Sequence, residues 1–252
     1  MSSLLAVEIA VQDAAGVRIA VDAGASRIEL CQALSVGGLT PSMALVEEAV
    51  DVAAGRPEFV HVLVRPRGGG FVYDSDEQRL IEREIRLLGR VGVDGVVIGA
   101  MTNDGCLDVD LIRRWVAAAA EAGVATVTVH RAIDACAHPE AEIARLAGIG
   151  VQRVLTSGGA VTCRDGLTTI AEMVRAAGSI EVMAGGGIAI DDIADLGAAG
   201  IAAVHLSARG ILVDGGPSGP GGGVTAYDVT DSALVCAAVA EALHTAGSRL
   251  AA

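Results

Sequence analysis

One segment in the middle of the chain carries a complete strand–helix–strand pattern. It reads ATVTVH at 125–130, PEAEIARLAG at 139–148 and QRVLT at 152–156. The first and last runs are short and rich in β-branched residues, as strands are, whereas the middle run has helical spacing. Two strands joined by a helix in this way lie side by side and parallel.

The same pattern continues outward in both directions until it has occurred eight times. Eight units over about 250 residues are typical of a (β/α)8 TIM barrel, so we expect residues 1–252 to form one such domain. An open doubly wound sheet is disfavoured because no G-x-G-x-x-G motif follows the first strand. The predicted strands are 5–10, 26–31, 59–65, 95–99, 125–130, 152–156, 180–184 and 202–206, and the predicted helices are 13–24, 41–54, 76–91, 108–122, 139–148, 166–177, 190–198 and 231–246.

One low-complexity stretch lies between the eighth strand and the last helix. The sequence GGPSGPGGG at 215–223 predicts a flexible Gly/Pro-rich loop at about 211–230. Because it follows a barrel strand, this loop is either a lid over the barrel mouth or a flexible linker.

The composition excludes several classes of protein. A net charge of −13 argues against nucleic acid or an anionic membrane as a partner, since both require a basic face. All 18 basic residues are arginine, and the lack of lysine excludes Schiff-base chemistry and a pyridoxal phosphate (PLP) cofactor. The sequence shows no membrane span and no signal-peptide pattern, so we expect a cytoplasmic protein.

Ionisable residues occupy the inward side of five predicted strands. Side chains alternate across a strand, so one parity in each strand faces the barrel axis. Burying several charges is costly unless they pair, so the set is either a self-satisfied ion-pair network or an active site. The positions of Cys31, Arg65 and His130 at C-terminal strand ends, where barrel active sites lie, favour the active site. The inward set comprises Glu8, Glu29, Arg65, His130 and His205, with His61 deeper.

The loops that follow these C-terminal strand ends are rich in arginine and glycine. The guanidinium groups of RPRGGG at 65–70 suit a carboxylate or phosphate. Glycine-rich turns after the seventh and eighth strands commonly hold anions in barrels. The predicted substrate-binding residues are therefore Arg65, Arg67, Ser157, Gly186, Gly187, His205 and Ser207.

These groups predict an enzyme of isomerase or lyase type that acts on a small anionic or phosphorylated metabolite. Glu29 or Glu8 is the expected general base, and His130, oriented by Asp134, is the expected acid. In a further alternative, Glu8, Glu29, His130 and His205 bind a divalent metal. A third alternative is an inert scaffold or interaction protein, which would require an exposed apolar surface.

Several segments together resemble the CutC family of copper homeostasis proteins. The resemblance implies a (β/α)8 barrel, a cytoplasmic location, a homo-oligomer and a role in copper homeostasis with Cu(I) binding. The copper ion is then the expected partner, in place of an anionic metabolite. The matching segments are RIELC at 27–31, GGLTPS at 37–42, RPRGG at 65–69, HRAIDAC at 130–136, RVLTSGG at 153–159, MAGGGI at 183–188 and, more loosely, HLSARG at 205–210.

The sequence departs from the family pattern where copper ligands are concerned. Family members often carry cysteines at the ends of strands 1 and 2, but here only Cys31 is present and Ala10 stands at the other position. Val72 occupies another position that is often cysteine. A lone thiolate is a poor Cu(I) site without a partner. Cys31 is therefore the one predicted metal ligand, with Met43, Met101, Met183 or His130 as candidate partners. The expected cofactor is Cu(I), a divalent metal or none.

Overall fold

The computed structural model describes residues 5–213 and 226–251. In this part of the chain, eight parallel strands close into a barrel in which each strand pairs with the next and β8 pairs with β1. The prediction of a (β/α)8 barrel is confirmed, and the strand ends differ from the predicted ones by two residues or fewer. The strands are β1 Ala6–Val11, β2 Arg27–Leu30, β3 Val60–Leu63, β4 Gly95–Ile98, β5 Thr126–Val129, β6 Arg153–Thr156, β7 Glu181–Gly185 and β8 Ala203–Leu206.

A helix follows each strand and packs on the outside of the barrel. Polar caps fix several helix starts: the Asp74 side chain, for example, accepts bonds from the N–H groups of Asp76 and Glu77, and Glu77 completes a capping box. The last helix continues to Ala251, five residues beyond the predicted end at 246. The helices are α1 Ala14–Asp22, α2 Met43–Val52, α3 Ser75–Val91, α4 Val109–Glu121, α5 Pro139–Arg145, α6 Leu167–Ala176, α7 Asp192–Ala198 and α8 Ser232–Ala251.

The main apolar core lies between the strands and the helices rather than on the barrel axis. Outward strand residues such as Ile9, Ile28 and Val62 are fully buried there with Trp115 of α4. On the axis, by contrast, the buried apolar residues of the described chain form two small clusters. One consists of Cys31, Leu63 and Val97, and the other of Leu155, Met183 and Ala203. Buried polar and charged side chains, among them Glu8, His61 and Thr128, also lie on the axis.

A two-stranded antiparallel sheet extends from the barrel mouth. It pairs β9 Arg209–Val213 with β10 Ala226–Thr230, and the Arg209 guanidinium lies 3.1 Å from an Asp228 carboxylate oxygen. The predicted loop at 211–230 therefore needs corrected boundaries, because apolar and β-branched residues at both of its ends pair as strands. The GGPSGPGGG segment at 215–223 lies outside the described residues.

None of the helices described is both long enough and apolar enough to cross a membrane. In the described structure, the helices form an outer layer around the closed sheet. The C-terminal strand ends, the loops after them and the β9–β10 sheet form one face.

Candidate functional site

A cavity of about 890 Å³ opens at the C-terminal end of the barrel. It reaches from the axis, at Ala10 and Glu29, up to the β9–β10 sheet, at Ile211 and Asp228. This is the face where barrel enzymes hold their substrates. Seven of the residues predicted from the sequence line it: Glu29, Arg65, His130, Gly186, Gly187, His205 and Ser207.

The floor of the cavity is a chain of alternating charges. Glu8 accepts a hydrogen bond of 2.6 Å from Arg27 Nε and one of 2.8 Å from His205 Nδ1. The opposite ring nitrogen of His205, Nε2, lies 3.5 Å from a carboxylate oxygen of Glu29. The imidazole of His205 thus bridges two buried carboxylates from neighbouring strands, one below the cavity and one lining it.

This arrangement separates the proton affinities of the two carboxylates. Burial by itself would raise the pKa of Glu8, but the hydrogen bond from His205 and the charge of Arg27 hold it well below its usual range. Burial raises the pKa of Glu29 to about 7, with only partial compensation from His205. Burial lowers the pKa of His205, but the two carboxylates outweigh that effect and raise it. At neutral pH Glu8 is therefore ionised, whereas Glu29 exists in both protonation states.

Arg65 and His130 lie together on the wall of the cavity against Phe71. The Phe71 ring is 4.8 Å from the His130 ring, centroid to centroid, and its centroid is 5.2 Å from the guanidinium carbon of Arg65. Burial and the charge of Arg65 lower the pKa of His130 to about 3, so its imidazole is neutral. The predicted role of His130 as a proton-donating acid is therefore not supported by its protonation state, although the neutral ring can donate a hydrogen bond.

The tautomer of His130 follows from its neighbours. Its Nδ1 accepts a 3.1 Å hydrogen bond from the backbone N–H of Ala132, so the neutral ring carries its proton on Nε2. Neither His130 Nε2 nor Arg65 Nε has a hydrogen-bond partner among the described residues, although both atoms are buried. The wall thus contains two unsatisfied N–H donors.

Asp134 has a different partner from the one predicted. Its carboxylate accepts hydrogen bonds from the backbone N–H groups of Ser157 and Gly159 and from the hydroxyl of Thr156. It also pairs with Arg131 at 2.8 Å, whereas the Nδ1 of His130 is bonded to Ala132. The expectation that Asp134 orients His130 is therefore wrong, because the short helical turn after β5 directs the carboxylate toward the loop after β6.

Ser157 and Arg67 hold loops rather than line the cavity. Ser157 is fully buried, and its hydroxyl donates to the carbonyl of Ala160 and accepts from Arg131. Arg67 forms an ion pair with Glu77 and donates to the carbonyls of Gly70 and Val72. Their predicted roles in substrate binding are corrected accordingly, because their polar groups are engaged within the chain itself.

Sequence reasoning did not assign a site role to Arg131, Phe71, Arg27 or Arg153. Arg131 lines the cavity between Asp134 and Ser157, and its only sequence signal is its place directly after the predicted inward residue at the end of β5. Arg153 points inward below the cavity, where its Nε donates to Glu181 at 3.0 Å and its Nη1 to Thr128 at 3.3 Å. Strand parity in RVLT at 153–156 would have identified it.

The surroundings of Cys31 do not suit Cu(I). The thiol is fully buried in the apolar cluster with Leu63 and Val97, and its Sγ faces the carbonyl of Val11 at 3.6 Å. Burial and the nearby Glu29 raise its pKa far above the usual thiol range, which disfavours the thiolate that binds metal. Within residues 5–213 and 226–251, no three His, Cys, Asp or Glu side chains group closely enough to hold a metal ion.

Comparison with known proteins places this barrel in one family. The CutC family profile matches residues 5–210. The family protein CutC from Vibrio cholerae is 37% identical over 205 residues, which cover 81% of this chain and 79% of that protein. The corresponding protein from Pasteurella multocida is 38% identical over 206 residues, with 81% and 82% covered.

A solved structure shows the same architecture. The provisionally named copper homeostasis protein CutC from Streptococcus agalactiae is 27% identical, with a TM-score of 0.72, and the match covers 81% of this chain and 99% of that one. The segment that matches the family profile, residues 5–210, contains all eight barrel strands and every residue of the Arg27–Glu8–His205–Glu29 chain. The chain therefore belongs to the CutC family.

Proposed function

We propose that this protein is an enzyme that binds a small anionic metabolite at the barrel mouth and moves a proton on that metabolite with Glu29. The observation that carries the proposal is the contact between Glu29 and His205. It places a cavity-lining carboxylate with a pKa of about 7 next to an imidazole that is itself bound to Glu8. A general base is most effective when its pKa lies near the working pH.

The charge of the cavity wall supports an anionic ligand. Arg65 is buried, and its hydrogen bonds within the described residues go to backbone carbonyls rather than to a carboxylate. Its positive charge is therefore not neutralised by an ion pair there. Arg131 adds a second guanidinium to the cavity lining, although Asp134 already pairs with it. A bound anion would compensate the charge of Arg65.

The proposed reaction is proton transfer at carbon next to a carbonyl or carboxylate group. The Glu29 carboxylate removes the proton, and the electron pair of the broken C–H bond moves onto the adjacent carbonyl oxygen as an enolate. Return of the proton to a neighbouring atom completes an isomerisation, whereas expulsion of a leaving group completes an elimination. Imine chemistry is excluded because the chain has no lysine.

The first test is solvent deuterium exchange. Pyruvate and glyceraldehyde 3-phosphate are incubated with the protein in D2O, and loss of the C–H signals is followed by proton NMR. We expect exchange with at least one probe, increasing as the pH rises through 7, and a loss of about 100-fold or more in Glu29→Gln. The matched control is Glu47→Gln, an exposed residue of α2, which should exchange at the native rate. Full exchange in Glu29→Gln would refute the assigned base.

Membership in the CutC family also makes Cu(I) binding a candidate function to be tested. An anaerobic Cu(I) titration against a strong competing chelator is performed on the native protein and on Cys31→Ala. Because the thiol is protonated and enclosed by apolar side chains, we expect no competitive binding that depends on Cys31. Tight binding at one site that disappears in Cys31→Ala would instead support copper handling.

A further inference from the structure

We infer that Arg65 and His130 form a two-donor subsite for a carboxylate or enolate group, covered by the ring of Phe71. The inference rests on the proposed function in one respect: the ligand is taken to be the anion whose proton Glu29 moves. The subsite itself rests on contacts within the described residues.

The first donor is the Nε–H group of Arg65. The other nitrogens of this guanidinium are already engaged, since Nη1 donates to the carbonyls of Val36 and Gly38 and Nη2 donates to the carbonyl of Gly69. The Nε atom is buried and makes no hydrogen bond of standard geometry among the described residues. The Tyr73 hydroxyl, which lies near Arg65, is buried and likewise unsatisfied there. Arg65 therefore offers one N–H group and a full positive charge, but not the two-pronged contact with which arginine usually holds phosphate.

The second donor is the Nε2–H group of His130. Because the Ala132 N–H group binds Nδ1, the hydrogen of the neutral ring lies on Nε2, which is buried without a partner in the described structure. The residue is only 6% exposed. A neutral histidine that donates a hydrogen bond, paired with a glutamate base, is an established combination for stabilising an enolate in a barrel enzyme.

Two buried N–H donors without acceptors cost free energy. This cost indicates that the subsite binds a hydrogen-bond acceptor. A buried N–H group normally has an acceptor, so an unsatisfied pair requires a structural or functional reason. A negatively charged oxygen of a carboxylate or enolate group would supply an acceptor here and compensate the charge of Arg65. Such an oxygen develops when a proton leaves the neighbouring carbon, which is the step assigned to Glu29 in the same cavity.

Phe71 is placed to cover the subsite. Its ring packs on both side chains, 4.8 Å from the His130 ring centroid and 5.2 Å from the Arg65 guanidinium carbon. The residue is itself partly exposed and lines the cavity. Three glycines precede it at 68–70, and Gly69 has a φ of +83° that favours glycine. Because the carbonyls of Gly69, Gly70 and Phe71 accept hydrogen bonds, we expect the ring to uncover the subsite by rotation of its side chain rather than by movement of this loop.

The subsite is tested by NMR on the native protein with oxalate, which has two carboxylates and no C–H proton to lose. Side-chain nitrogen signals of the histidines are recorded during the titration, and His130 is assigned with His130→Asn. This variant retains a side-chain acceptor for the Ala132 N–H group but lacks Nε2. We expect oxalate to shift the Nε2 signal of His130 and inorganic phosphate to bind about tenfold more weakly than oxalate.

The affinities of two variants complete the test. His130→Asn and Arg65→Lys, which keeps the positive charge but lacks Nε, should each bind oxalate about tenfold more weakly or worse, as expected for loss of a hydrogen bond to a charged group. An unchanged Nε2 signal at saturating oxalate, or native affinity in both variants, would overturn the subsite.

The cover is tested by fluorescence of Phe71→Trp. The native protein has a single tryptophan, Trp115, which is fully buried, so it serves as the control. Oxalate should change the emission of Phe71→Trp and leave the native emission unchanged. If the Nε2 signal of His130 shifts while the new tryptophan does not respond, the ring does not cover the subsite and that part of the inference fails.

The outcomes separate this inference from the proposed function. Glu29-dependent deuterium exchange without any effect of oxalate on His130 would refute the subsite alone. Oxalate binding at His130 without exchange in either probe would refute the proposed proton transfer and retain the subsite. Failure of both measurements would refute both.

Discussion

Replacing Glu29 by glutamine should make the free energy of unfolding less sensitive to rising pH. Burial raises the pKa of this carboxyl from 4.5 to about 7 in the folded state, so the folded protein holds the proton more tightly than the unfolded chain. The stability that comes from the neutral carboxyl is complete below about pH 4.5 and is lost as the pH rises through 7. Glutamine is neutral at every pH and does not undergo this loss.

The size of the effect follows from the same values. A difference of one unit in pKa between folded and unfolded states corresponds to about 1.4 kcal/mol, so the rise from 4.5 to about 7 is worth about 3 kcal/mol. The residue is only 6% exposed, so screening by solvent reduces this value little. The free energy of unfolding of Glu29→Gln, minus that of the native protein, should increase by about 3 kcal/mol between about pH 4 and pH 8.

Urea denaturation at several pH values measures this difference. Glu47→Gln, on the exposed face of α2, is the matched control and should follow the native curve in the neutral range. Parallel curves for Glu29→Gln and the native protein would show that Glu29 ionises as an exposed carboxyl does. That result would refute the assignment of a neutral-pH base and the electrostatic reasoning behind it.

Three further predictions concern the axis and the loops. Gly95→Ala should lower the free energy of unfolding by about 2 kcal/mol or more in urea denaturation, because the new Cβ would lie 2.2 Å from Nδ1 of His61. An unchanged denaturation midpoint would contradict the close packing of His61 on Gly95. Asp134→Ala should cost about 3 kcal/mol in the same assay, since it leaves Arg131 and the buried donors of Thr156 and Ser157 without their acceptor. A loss below about 1 kcal/mol, the size of one ordinary hydrogen bond, would contradict that role. Alkylation by iodoacetamide at pH 8, followed by mass spectrometry of peptides, should modify the exposed Cys236 first and leave Cys31 protected in the folded protein; early labelling of Cys31 would show that its thiol is accessible and reactive.

The fold was predictable because its signals are local. Each strand–helix unit has its own periodicity, and eight such units in one chain close into a barrel regardless of the fine packing between them. The same local alternation correctly placed Glu8, Glu29, His130 and His205 on the inward side of their strands. The β9–β10 sheet was not predicted because its two short strands flank a segment whose glycines and prolines dominate the composition of the region.

The site was only partly predictable because a residue's function depends on its partners. Strand parity showed that Glu8 and Glu29 face the axis, but it could not show which of them pairs with Arg27 and becomes fixed in its ionised form. Likewise, the position of Asp134 shortly after His130 suggested an interaction between them. The turn after β5 instead carries the carboxylate to the loop that follows β6.

The sequence by itself determined the barrel, the inward parity of the ionisable groups and the exclusion of lysine chemistry, since each depends on residue type and local spacing alone. The tertiary structure decided the chemistry of those groups. Glu8 and His205 are separated by 197 positions in the chain, yet closure of the barrel brings β1 beside β8 and joins them by a hydrogen bond. The proton affinity of Glu29 and the burial of the Cys31 thiol follow from such contacts, because burial and neighbouring charge are properties of three-dimensional packing.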